Sequence, residues 1–340
     1  MPPSSGHVEV VCTGRLTLDF GVGANREAIV ARPGGSAVYA AVGARVWNEH
    51  VGLLGRVGAR FPTDWLETCR QQGIETRGVR VVPDPHDQLE LVAAAPEEQQ
   101  LDQPERLFAE AGLPLPEELA GWIPYASRKE ERTRFSPLAV RPSEVPRSYL
   151  TARAAHIAPC ELVVQTALPP TLRRSGLSYV TCDPHPRFMT PEFEADVRQV
   201  VFGLDAFLPG EAAVRAFFRG KPWADDLWQC AEALAAMGAR AVVIKSGARG
   251  ALVFDPAKGR RWQVGGYAAR VRERVGAGAA YGGGFVAGLL ATDDILEAAL
   301  RGAVSASLVL EGNQPLYALA ANPRLSEARL EALRGQVRSI

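Results

Sequence analysis

Arg32-Pro-Gly-Gly-Ser-Ala-Val-Tyr-Ala-Ala41 is a turn that becomes a helix, and the segments on either side of it decide the fold. Pro33-Gly34-Gly35 breaks the chain, Ser36 is a residue type that caps helices, and Ala37 to about Val46 carries apolar residues on most faces, as a helix packed on a sheet does. Upstream, Val8 to Cys12 is a β-branched run ending at Thr13-Gly14, followed by a loop or short strand with Asp19. Downstream, Val51-Gly-Leu-Leu-Gly55 reads as a buried strand, and Asp64 to Gly73 as an amphipathic helix opened by Thr63 or Asp64. Strand, helix, strand, helix predicts an α/β fold with a mostly parallel sheet covered by helices on both faces.

The rhythm is lost from Pro83 to about Pro146, where Pro and Glu cluster in Pro96-Glu-Glu-Gln-Gln100 and Pro114-Leu-Pro116-Glu-Glu118. A structureless loop of that length is unusual inside a domain, so the segment reads as an insertion, a lid or a small subdomain. The alternation then resumes with short strands at Ala154 to Ile157, Ser178 to Thr181, Ala206 to Leu208 and Ala241 to Lys245, and a helix from Asp225 to Met237. Ala251-Leu-Val-Phe254 is expected to pair with Arg261-Trp-Gln-Val264 as a hairpin. Helices follow at about Tyr281 to Ala291, Ile295 to Leu310 and Ser326 to Val337, the second capped by Asp293 or Asp294. No internal repeat interrupts this order.

Composition narrows the function classes. Basic and acidic side chains balance at 38 each over 340 residues, so the surplus of positive charge that nucleic-acid or membrane-surface binders need is missing. Only four of the basic residues are lysine, a bias that a GC-rich genome also produces, so arginine abundance is no phosphate signature. No stretch of about 18 apolar residues and no leader-like N-terminus is seen, which makes the cytoplasm the expected compartment. Five scattered cysteines without a C-x-x-C pair fit reduced, buried thiols rather than a metal site.

Three segments carry chemistry. Gly34-Gly35 before a helix lets backbone approach a ligand; Val242 to Val253 is a strand, a Gly-x-x-Gly turn and a strand; Gly276-Ala-Gly-Ala-Ala-Tyr-Gly-Gly-Gly-Phe-Val-Ala-Gly288 runs a glycine-rich loop into a helix N-terminus, an anion-favouring arrangement. The small residues Gly282, Gly283, Gly284 and Gly288 equally suit a buried helix that packs closely on its neighbours.

Taken in order, Gly14 with Asp19, Gly34-Gly35, Gly55-Arg-Val-Gly58, Cys182-Asp-Pro184, Lys245-Ser-Gly247-Ala-Arg-Gly250 and Gly276-Ala-Gly278 make the chain resemble the PfkB or ribokinase-like carbohydrate and nucleoside kinases from Val8 to about Asn313. The resemblance implies a single three-layer ribokinase-like domain over residues 1–340, with a small β-rich lid built from segments at about 16–33 and 84–146. It implies that Asp19 binds a substrate hydroxyl, that Gly34 and Gly35 line the sugar site, and that Tyr39 stands where many members carry Asn. It also implies that Lys245, Gly247, Gly250, Gly276, Ala277, Gly278 and Asn313 lie around the nucleotide and its phosphates. ATP and magnesium are the implied cofactors of any remaining kinase activity, a small molecule is the implied partner, and homodimers through the lid are common among such proteins.

The sequence departs from that family where the chemistry is done. The general base that usually follows Gly-Ala-Gly is Ala279, the magnesium-organising Asn-x-x-Glu element reads Gly210-Glu211-Ala212-Ala213, and Ala59 and Arg60 replace acidic residues after Gly58. Phosphoryl transfer rests on positioning and electrostatics, so these losses remove most of what the protein contributes. Glu273 and Glu211 are the carboxylates considered as a substitute base and metal ligand. His156 and His185 lie near strand ends, where a lone histidine reads first as structural. Three readings stay open: a pseudokinase-like protein that keeps a pocket for a nucleotide, sugar or nucleoside in a regulatory or structural role; a divergent active sugar or nucleoside kinase; and an enzyme of another class reusing the pocket.

Overall fold

Strand β1 (Val10–Thr13) is buried along its whole length, and alternate residues feed two different cores: Val10 and Cys12 join one apolar cluster and Val11 the other. A strand does this when helices cover both faces of its sheet. The computed structural model describes residues 7–83, 88–93 and 103–340; the Pro96-to-Gln100 run and parts of the 84–146 lid segment lie outside the described residues. The remaining strands are β2 (Thr17–Val22), β3 (Ala28–Gly34), β4 (Val51–Val57), β5 (Ile74–Val81), β6 (Leu89–Ala93), β7 (Ala154–Ile157), β8 (Tyr179–Cys182), β9 (Ala206–Phe207), β10 (Val242–Lys245), β11 (Ala251–Asp255), β12 (Arg260–Val264) and β13 (Arg338–Ser339).

A ten-stranded sheet grows outward from β1 in both directions. β4 and then β5 lie on one side, β7, β8, β9 and β10 on the other, all parallel, and β11, β12 and β13 finish the second edge antiparallel. Helices Ser36–Arg45, Ala277–Thr292 and Ile295–Leu310 bury the face of Val10, while Leu162–Arg174, Glu194–Val201 and Leu227–Ala235 bury the face of Val11. Strand order reverses at β1, and in open parallel sheets ligands bind beyond the carboxyl ends of the strands at such a point.

A second sheet stands over that crevice, with β2 between antiparallel β3 and parallel β6. Its register slips by a bulge: Asp19 pairs with Arg32 but Gly21 with Ile29, and Ala31 takes the left-handed region at φ 51°. Bulges re-aim side chains, and beside this one Arg32 reaches Glu273 and the Asn313 carbonyl.

Local expectations need three corrections. Ser36 is not the cap of its helix: Gly35 holds that position without a side-chain bond, and the Ser36 hydroxyl instead donates to the Pro159 carbonyl at 2.8 Å. Neither Thr63 nor Asp64 caps the next helix, which starts at Thr63 after Pro62 with no capping side chain. The Pro33-Gly34 break belongs to β3, whose cross-strand pairing with β2 carries the chain through Gly34. Within the patternless segment lies the helix Pro104–Ala111, which buries Leu107 and Phe108. Among the described residues no helix is long and apolar enough to cross a membrane, and all five cysteines are buried and free.

Candidate functional site

The carboxyl ends of five parallel strands converge on one cavity of about 600 Å³: Arg15 follows β1, Pro159 follows β7, Asp183 follows β8, Gly210 follows β9, and Lys245 ends β10. The small sheet supplies Thr17, Asp19 and Glu90, and the first turns of helices Ser36–Arg45 and Ala277–Thr292 supply Ser36, Tyr39 and Ala279. Apolar walls with a few convergent polar groups are the make-up of a small-molecule site.

Asp19 sits at its floor, 1 % exposed. The Thr17 hydroxyl donates to its Oδ1 at 2.7 Å, and Arg32 lies 3.5 Å from Oδ2. Burial pushes the Asp19 carboxyl up to about 6, outweighing the attraction of Arg32 and the Thr17 hydrogen bond. Gly34 passes so close that a Cβ there would lie 2.3 Å from Asp19 Oδ2. Gly276 has the same relation to Tyr39: φ is 82°, and a Cβ would stand 2.1 Å from the ring. The glycines before the two helices thus let the acid and the aromatic ring press against bare backbone.

Arg32 does more than face Asp19. It donates to both oxygens of Glu273, at 3.0 and 2.6 Å, and to the Asn313 carbonyl. Glu273 and Asn313 border a different cavity, between the small sheet and Arg270–Arg272, and not the one that holds Asp19. Glu273, considered as a substitute base, therefore has both oxygens engaged outside the cavity of Ala279. Asn313, expected at the nucleotide, meets the lid strand instead.

A second cavity of about 630 Å³ opens on the other side of the glycine-rich helix start, lined by Gly247, Gly250, Arg274, Ala277 and Tyr281. Lys245, Gly247 and Gly278 belong to both cavities, so the two meet there. The residues that the resemblance assigns to the nucleotide are brought together around this junction, apart from Asn313.

Lys245 donates to Asp183 Oδ2 and, at 3.3 Å, to the carbonyl of Gly278, the residue before Ala279. Burial pushes the Asp183 carboxyl above the usual carboxylate range, and the Lys245 ammonium beside it works against that rise. This pair was not foreseen as functional. The signal was available, because Asp183 directly follows a parallel strand and Lys245 ends one, on the crevice side of the sheet.

The implied magnesium ion can be tested against the donors present. Gly210 and Ala213 offer no side-chain oxygen. Glu211 does not line the cavity, and its two oxygens accept from Arg215, at 3.0 Å, and from Arg249. Asp183 is paired with Lys245, and Glu90 with Arg15 at 2.7 Å. Among the described residues no three His, Cys, Asp or Glu side chains converge as a metal site. Magnesium is held through carboxylates and phosphate oxygens in near-octahedral order, and this donor set does not fit it.

The histidines are structural in geometry. His156 on β7 is buried, with Nδ1 at 2.9 Å from the Thr181 hydroxyl, and burial next to Lys245 pushes it down to about 3, so it is neutral. His185 accepts from the Arg187 amide at 3.2 Å at the start of a short turn.

Comparison with known proteins agrees with this architecture. Residues 172–319 match the family model described as pfkB family carbohydrate kinase. A cytidine kinase of Thermococcus kodakarensis is 24 % identical over 283 residues, covering 83 % of this chain and 88 % of that protein. Fructokinase from Vibrio cholerae O395 superimposes with a TM-score of 0.67 at 20 % identity, covering 97 % of this chain and 99 % of the other. Aminoimidazole riboside kinase from Salmonella enterica superimposes with a TM-score of 0.66 at 15 % identity, covering 95 % and 99 %. The chain therefore has the ribokinase-like fold, and its residues 172–319 are similar to the pfkB family of carbohydrate kinases.

Proposed function

We propose that this protein keeps a pocket for a small molecule, a nucleotide, sugar or nucleoside, in which Asp19 meets the ligand's hydroxyls, that it has lost ATP-dependent phosphoryl transfer, and that its role is regulatory or structural. The observation that carries the reading is Ala279, a methyl group on the cavity wall where the resemblance calls for the carboxylate that takes the hydroxyl proton. Losing a positioned base costs about two to four powers of ten in rate, which is roughly 3 to 5 kcal/mol of barrier. The absence of free carboxylates at Gly210, Ala213 and Asp183 supports the same conclusion independently, while the glycines that shape the pocket are all in place.

Ligand hydroxyls are recognised by Asp19 in its ionised form. The relatives named for cytidine, fructose and aminoimidazole riboside make a furanose-bearing ligand the first class to try. The test is an ATP-to-product assay over a sugar and nucleoside panel, together with mass spectrometry of whatever small molecule co-purifies. Background turnover with a bound sugar or nucleoside supports the reading; substrate-dependent ADP release that disappears in Asp19→Ala overturns it.

A further inference from the structure

The junction between the two cavities holds a fixed cation of the chain's own. Lys245 comes off the end of β10 with its side chain 13 % exposed, and its ammonium borders both cavities. Of the three N–H bonds of an ammonium, two are accounted for by Asp183 Oδ2 and the Gly278 carbonyl, which leaves one for a ligand. Next to it the helix Ala277–Thr292 begins without a side-chain cap and without an acidic residue in its first turn, and Arg274 lines the second cavity. Positive potential at this point therefore comes from Lys245, Arg274 and the free amides of the helix start together.

The carboxylates that could turn this potential toward a metal are all engaged. A divalent ion at the junction would have to displace Lys245 from Asp183 and then sit beside the displaced ammonium, or lie against it with no carboxylate of its own. Neither arrangement is favourable when two like charges share a partly buried site.

We infer that the Lys245 ammonium takes the place of a divalent cation at the meeting of the two cavities, so that a phosphate-bearing ligand spanning them binds without magnesium. The inference deepens the proposed function and rests on it: a pocket that no longer transfers a phosphoryl group has no need of a metal to neutralise the transfer, but it still has to neutralise the phosphates of a bound nucleotide. Asp183 has a positioning role here, holding the ammonium at the junction.

The test uses the full chain and ADP as probe, titrated calorimetrically in EDTA and again in excess magnesium. The expected result is affinity in EDTA equal to or above that in magnesium, at least a tenfold loss in Lys245→Met, and a smaller loss, measured in EDTA, in Asp183→Asn, which keeps the ammonium but removes the carboxylate that holds it at the junction. Thermal unfolding of each variant separates lost binding from lost fold, and the wild-type comparison of EDTA with magnesium needs no variant. Binding that weakens tenfold or more in EDTA, affinity unchanged in Lys245→Met, or no ADP binding in either buffer overturns the inference. Magnesium-dependent ATP turnover, measured on the same samples, overturns the proposed function instead, and magnesium-dependent binding without turnover overturns the inference alone.

Discussion

Arg32 grips Glu273 with both arms of its guanidinium, 3.0 and 2.6 Å from the two carboxylate oxygens, and so ties strand β3 of the small sheet to the segment that leads into the glycine-rich helix. The bulge at Ala31 lies directly before it in the strand, and the same guanidinium lies 3.5 Å from Asp19. Fork-to-carboxylate pairs of this kind are among the stronger charge-assisted contacts.

Because Arg32 and Glu273 are 16 % and 6 % exposed, removing one partner strands a charge. Arg32→Met is expected to lower stability by about 3 kcal/mol, the lower end of what breaking a buried pair costs. Arg32→Met combined with Glu273→Leu, which leaves no orphaned charge at position 273, is expected to cost less than Arg32→Met alone. Urea unfolding of the two variants checks this, and a double variant worse than the single one would speak against the pair as the cause.

Asp19 gives stability a pH dependence of definite sign. Its carboxyl is raised from 3.8 to about 6 in the folded protein, so between those values the native state keeps a proton that the unfolded chain has released. Stability contributed by this group is present at low pH, falls as pH rises through that window, and changes no further above it. Asp19→Asn abolishes the slope, so the difference in unfolding free energy between wild type and variant should shift between pH 4 and pH 6 and level off beyond. Ligand affinity should move the opposite way, rising through about pH 6 as the carboxylate becomes a full acceptor for a hydroxyl.

Gly276 and Tyr39 form a tight pair whose energetics can be taken apart. A methyl group at 276 meets the ring at 2.1 Å and has to adopt φ 82°. Overpacking of this sort costs about 1–3 kcal/mol, and the left-handed backbone about 1–2 kcal/mol for a residue with a Cβ. In the Tyr39→Ala background the steric part vanishes and only the backbone part is left, so Gly276→Ala should cost visibly less there. Equal costs in both backgrounds, read by thermal unfolding, would show that the ring moves aside freely.

Local signals carried most of the fold. The hairpin pairs Phe254 with Arg261 and Ala251 with Val264 as the two apolar runs across Pro256-Ala-Lys-Gly259 imply, and Asp294 accepts the Glu297 amide at the start of a helix whose limits, Ile295 and Leu310, follow from its periodicity. The helix Pro104–Ala111 is opened by Pro104 and closed by the left-handed Gly112, but its eight residues are too short a window for a period to show in the sequence. What the sequence hid were contacts made by topology. Arg32 meets Glu273 from 241 residues away and Lys245 meets Asp183 from 62, and no spacing rule reaches that far. Glu273 stands six residues before Ala279, on the far side of the loop, and its contact with Arg32, which engages both its oxygens, is one the sequence does not show.

Carboxylates placed at Ala213 and Ala279 test whether the cavity has a kinase geometry. Ala213 and Ala279 are 5 % and 7 % exposed and line the same cavity, so carboxylates introduced at both would face one volume. Phosphoryl transfer needs the base and the metal-bound phosphate at once. Ala279→Asp alone supplies a proton acceptor with no metal to act beside, and Ala213→Glu alone supplies a metal ligand with no base, so each is expected to stay at background in an ATP-dependent product assay. The double variant is expected to gain turnover that requires magnesium and disappears on further substitution of Asp19→Ala. Adding Lys245→Met to the double variant should raise its magnesium affinity, since Asp183 then becomes a free carboxylate at the junction; a fall in magnesium affinity would mean that Lys245 assists the metal rather than replacing it.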